Sequence, residues 1–179
     1  MTNAGEESVF GLEVDAKTIA AVKSFWKEAQ TQSKPIHKFD ALAKGWDRLA
    51  SELFPDDSIS HRFKRLTGHC SAVAWAQSVD DLFVEVEVPI RNDLERLEHE
   101  SQRDFDRAKK RLREHRDDRR SDQDLMESIG SLLWTIRSNS MHGRKTPSGP
   151  SAPTNRDEQI CDLGARVLED LYKCAFPSW

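Results

Sequence analysis

Apolar side chains recur at helical spacing in one segment after another of this chain, and that recurrence constrains the fold more than any other feature. From Ile36 to Phe54, the residues Phe39, Leu42, Trp46, Leu49 and Leu53 fall on one face of a helix, which Pro55-Asp56-Asp57 should end. Upstream, Asp15 is placed to cap a helix running to about Ala29, with Ile19, Val22, Phe25, Trp26 and Ala29 on one side. Thr31 to Pro35 reads as a turn. Residues 1–13 read as loosely ordered.

Residues 71–88 carry two competing periods. Val84-Glu85-Val86-Glu87-Val88 alternates like a strand, whereas Ala72, Trp75, Ala76, Val79, Leu82, Phe83, Val86 and Ile90 keep helical spacing over a longer window. The longer window predicts a helix that stops near Pro89. Ser121-x-x-Asp124 is a capping box that opens another helix, with Leu125, Ile129, Leu132, Leu133 and Ile136 inward and Gly143 as its stop. A loop with Pro147, Gly149, Pro150 and Pro153 follows. Thr154-x-x-Asp157 then opens a closing helix with Ile160, Leu163, Val167, Leu168, Leu171 and Phe176 as its stripe. The expected fold is a single all-α domain over 1–179, an antiparallel helical bundle of about five or six helices with little or no sheet.

Composition narrows the function. Only 8 glycines and 7 prolines rule out a collagen-like chain and make a many-turned sandwich a poor fit. A net charge of −4 means that any nucleic-acid site is a local patch. Residues 91–120 form a charged helical segment that is nearly balanced, with eleven Lys/Arg and nine Asp/Glu. It reads as a solvated helix with pairs such as Glu95–His99 and Asp106–Lys110; the alternative is a basic stripe along Arg103, Arg107, Lys110, Arg111 and Arg113. Cys70, Cys161 and Cys174 match no metal or disulfide framework and read as reduced thiols. No signal-peptide core and no apolar run of membrane length is present, so the expected location is cytoplasmic, without membrane contact.

Glycine-rich phosphate loops, HExxH, EF-hand and paired CxxC motifs are absent, as is a serine-hydrolase elbow. One cluster remains: Trp134-Thr135-Ile136-Arg137-Ser138-Asn139-Ser140-Met141-His142-Gly143-Arg144-Lys145, at the end of an apolar helix and beside a polar loop. Arginine's planar fork matches two phosphate oxygens, and histidine moves protons near neutral pH.

Arg137 and His142, with four residues between them, resemble the arginine–histidine motif of the HEPN superfamily of nucleotide-binding domains. The stretch from Ile136 to Gly143 is similar to that family's R-N-x-x-x-H-G form, with Ser138 standing where the family usually has Asn or Asp. The resemblance is best over 121–176. It implies a metal-independent RNA endonuclease that uses the RNA 2′-OH as nucleophile and needs no cofactor, in a defence or toxin–antitoxin setting with a possible antitoxin or regulatory protein. Arg137, His142, Asn139 and Ser138 would be catalytic, and Arg144 and Lys145 would bind RNA. One histidine per chain leaves either the acid or the base role unfilled, so chemistry and resemblance together suggest a homodimer with a shared cleft.

Plainer roles stand beside these. Arg137 can neutralise a helix C-terminus, His142 can precede a glycine cap, Asn139 can be a surface or cap residue, and Arg144 and Lys145 can simply solubilise a loop. Arg62 and His69 meet the looser family spacing but lie in a short polar stretch with no long apolar helix before it. Trp26, Trp46, Trp75 and Trp134 read as core or interface anchors, and Cys161 and Cys174 as small buried hydrophobes. The alternative function is a non-catalytic nucleotide- or RNA-binding or protein-assembly module.

Overall fold

The chain is an all-α bundle with one small hairpin at its edge. The structure, a computed structural model, describes residues 7–87, 110, 113–114, 121–141 and 155–179. Among them are the strands β1 (Glu7–Val9) and β2 (Leu12–Val14) and six α-helices: α1 (Ala16–Thr31), α2 (Pro35–Leu53), α3 (Ile59–Gly68), α4 (Gln77–Glu87), α5 (Asp122–Met141) and α6 (Asn155–Ala175). A short 3-10 turn, Ser71–Val73, joins α3 to α4. No helix among the described residues is long and apolar enough to cross a membrane.

The ends of the helices follow local chemistry. Asp15 caps α1, its Oδ1 accepting from the Lys17 amide at 3.0 Å. Pro35 begins α2, where a missing amide costs nothing. Ser121 Oγ accepts from the Asp124 amide at 3.2 Å and donates to Asp124 Oδ2 at 3.0 Å, so Ser121 caps this helix through its side chain. Thr154, proposed to cap the next helix, lies outside the described residues.

α2 is the centre of the bundle, with α1, α3, α5 and α6 packed around it. Trp46, Phe39, Leu42 and Leu49 of α2 are fully buried with Phe63 and Leu66 of α3, Met126, Ile129 and Leu132 of α5, and Tyr172 of α6. The polar atoms in this core are satisfied in series. Trp46 Nε1 donates to Thr67 Oγ1 at 3.1 Å, Thr67 Oγ1 donates to the Phe63 carbonyl at 2.9 Å, and Tyr172 Oη donates to the Leu42 carbonyl at 3.0 Å. α5 approaches α3 closely because Gly130 carries no side chain: a Cβ there would lie 2.8 Å from Lys64 Cα.

Four expectations are corrected. Residues 7–13 are ordered, pairing Glu7 with Val14, Ser8 with Glu13 and Val9 with Leu12. The turn between the strands is Phe10-Gly11, with φ of 56° and 77°, and burial of Val9 and Val14 holds the hairpin in place. The stretch around Arg62 is a helix, α3, anchored by Phe63 and Leu66. Residues 71–87 break into a 3-10 turn and α4 rather than one helix, with Glu85 to Glu87 helical and not extended. Trp75 sits in that break and is 67% exposed, so of the core and interface roles expected for it the core one is excluded. The pairs Glu95–His99 and Asp106–Lys110 and the basic stripe fall mainly outside the described residues; Lys110 itself pairs with Glu114 at 3.8 Å.

Candidate functional site

Three helices bring charged side chains to one point. Asp47 follows the buried Trp46 on α2, Arg62 precedes the buried Phe63 on α3, and Arg137 follows the buried Ile136 on α5. In each case the neighbouring apolar residue anchors the helix face, and the charged one stands at the rim of the core. Arg137 Nη2 lies 3.1 Å from Asp47 Oδ2, and Arg62 Nη2 lies 3.5 Å from Asp47 Oδ1. The three side chains are 12%, 19% and 17% exposed for Arg137, Arg62 and Asp47 respectively, so the pairing is shielded on most sides.

The Arg137 guanidinium is also held from above. Its Cζ lies 4.9 Å from the Trp134 ring one helical turn earlier, and that ring packs against Phe63 at 5.7 Å. The Asp47 carbonyl accepts from Ser51 Oγ at 2.7 Å, which leaves its carboxylate to the arginines. Two guanidiniums around one carboxylate give this group an excess of one positive charge in a partly desolvated place. Arg62 Nε is buried and makes no hydrogen bond among the described residues. Chemically, the cluster is a preoriented cationic edge suited to an anion.

Of the residues singled out in the sequence, Arg137 and Arg62 reach this cluster. Arg137 does so by pairing across to Asp47 of α2. Ser138 is half-buried beside it on α5, and Asn139 lies in the helical part of α5. His142, Arg144 and Lys145 lie outside the described residues. Sequence reading missed Asp47 altogether: a single carboxylate on the polar side of an amphipathic helix carries no signal. Arg62 carries one, the second match to the family spacing, but the short polar stretch around it hides the helix α3 that positions it.

His69, the histidine of that second match, ends α3 away from the arginines. Its ring stacks between Phe10 of the hairpin turn and Phe54 after α2, at 5.6 and 5.7 Å. Burial against these rings, and then the Arg65 charge, hold its pKa below the ordinary histidine value, against a smaller opposing effect of Glu127. Among the described residues no group of three or more His, Cys, Asp or Glu side chains is arranged to hold a metal ion. Comparison with protein-family models, with curated proteins and with solved structures finds no match to this chain.

Proposed function

We propose that this chain is an RNA endonuclease of HEPN type that uses the substrate's own 2′-OH as nucleophile. The observation that carries the reading is the Arg137–Asp47–Arg62 cluster: the arginine of the motif is fixed by a carboxylate from α2 and an aromatic ring from its own helix, with a second guanidinium alongside. In this reading the arginines meet the scissile phosphate and stabilise the charge that builds on it. His142 moves the proton from the 2′-OH or to the 5′-oxygen. Ser138 and Asn139 hydrogen-bond the phosphate or orient the imidazole, and Arg144 and Lys145 hold the RNA backbone. A second copy of the chain supplies the other imidazole across a shared cleft. A partner that silences such an enzyme, an antitoxin or regulator, belongs to the same proposal.

One observation favours the other reading, a module that binds nucleotide or RNA, or assembles with protein, without cutting. Arg137 is already committed to Asp47, and a purely architectural ion pair between α2 and α5 needs nothing more. Incubation with single-stranded RNA in EDTA separates the two. The nuclease reading expects products ending in 2′,3′-cyclic or 3′-phosphate, no cutting of DNA of the same sequence, and loss of cutting in His142→Ala with helical content retained. Binding without products supports the module and overturns the enzyme; full cleavage by His142→Ala would overturn the HEPN-type mechanism, which places the proton transfer on that residue.

A further inference from the structure

Two of the three cysteines, more than a hundred positions apart in sequence, meet in the fold. Cys70 follows α3 and is fully buried, with its Sγ 3.8 Å from the Leu171 carbonyl oxygen of α6. A helix carbonyl points toward the next turn, and the residue three positions on from Leu171 is Cys174. Both thiols therefore lie against the same turn of α6, near enough for each to shift the other's ionisation. They differ in surroundings: Cys70 is sealed in the core, while Cys174 is half-buried in the last turn of α6 and open to small solutes. Cys161, earlier on the same helix, is buried and takes no part in this pair.

We infer that Cys174 and Cys70 form a peroxide-oxidisable dithiol, Cys174 being the sulfur oxidised first and Cys70 the one that resolves it.

The arrangement divides the two roles. Cys70 donates its S–H to the Leu171 carbonyl, and the neighbouring Cys174 and burial hold it protonated. The Cys70 thiol beside it favours the thiolate of Cys174, lowering its pKa to about 7 although partial burial opposes this. The Cys174 thiolate attacks one oxygen of hydrogen peroxide. An S–O bond forms, the O–O bond breaks, and the departing hydroxide takes up a proton as water. Sulfur has lost two electrons and peroxide has gained them. The Cys70 sulfur then attacks the Cys174 sulfenic acid. An S–S bond forms, the S–O bond breaks, and hydroxide leaves with the Cys70 proton as a second water. The new bond ties the end of α3 to the end of α6 and encloses residues 71–173 in a covalent ring. Arg137 and His142 both lie within that ring.

The test uses the full chain treated with a small excess of hydrogen peroxide, blocked with a maleimide, and digested without reductant. The expected result is a Cys70–Cys174 cross-linked peptide, the loss of two titratable thiols per chain with Cys161 still alkylated, and full reversal by dithiothreitol. Cys70→Ser, a near-isosteric change, is expected to stall the reaction at a Cys174 sulfenic acid that dimedone captures; Cys174→Ser is expected to leave Cys70 unoxidised. Circular dichroism of both variants confirms that they fold, and if either does not, the cross-linked peptide in the unaltered chain decides. Oxidation centred on Cys161, cross-links only between chains, or a Cys70 equally reactive in Cys174→Ser would overturn the inference.

Discussion

Asp47 is a residue whose neighbours define its worth. It sits between Arg62 and Arg137, and removing its charge leaves two guanidiniums facing each other in a place with little water. Asp47→Asn is expected to lower stability by about 1–3 kcal/mol. A double-mutant cycle with Arg137→Gln, followed by urea unfolding, should give a coupling of about 0.5–3 kcal/mol. Additive losses would mean that the pair contributes nothing. His69 offers a pH-dependent test. An unfolded histidine titrates near 6.5, and the folded one titrates lower. Between those values the unfolded chain binds more protons, so stability falls as pH drops through the window and loses nothing further below the folded value. The urea midpoint of the unaltered protein should therefore fall more between pH 7 and pH 5 than that of His69→Gln. Parallel curves would dismiss the histidine's role.

Among the elements, the α3–α5 contact is the most sharply specified. Gly130→Ala puts a methyl group against the Lys64 backbone and the Thr67 side chain, neither of them the free end of a flexible chain. The helices must move apart, and the expected cost is about 1–3 kcal/mol, measured as a lower urea midpoint with the slope unchanged; a neutral substitution would mean that the contact yields easily. Which elements were legible in the sequence follows from how each is stabilised. α2 and α5 show themselves because long apolar stripes repeat often enough to outweigh chance. α3 does not, because ten residues with Phe63 and Leu66 as their main anchors leave too short a pattern. The hairpin is hidden for another reason: its turn places Phe10 at positive φ, a position where Asn or Asp is the usual sign. The charged cluster draws on α2, α3 and α5; Arg137 and Arg62 stand in matches to the motif spacing, whereas Asp47 stands in none. What joins the three is packing across long stretches of sequence.

At the scale of the whole molecule, the proposed enzyme requires two copies. If each cleft draws an imidazole from both chains, wild-type protein mixed with His142→Ala should lose activity faster than simple dilution predicts, since a half-equipped site lacks a general acid or base worth about 10²–10⁴-fold. Light scattering gives the mass, and cleavage rate against mutant fraction gives the curve; a strictly linear fall, or a fully active monomer, would rule out the shared cleft. The position of α2 at the centre of the bundle has a consequence for synthesis. α1 and α3 are its neighbours in sequence and reach it at once, but its remaining sides wait for α5 and α6, which are translated later. At about 5–20 residues per second, the surface of α2 that Tyr172 and Leu171 will cover stays bare on the ribosome for several seconds or more. A nascent chain in that interval presents Phe39, Leu42 and Trp46 to its surroundings, and trigger-type chaperones or neighbouring nascent chains would meet it there.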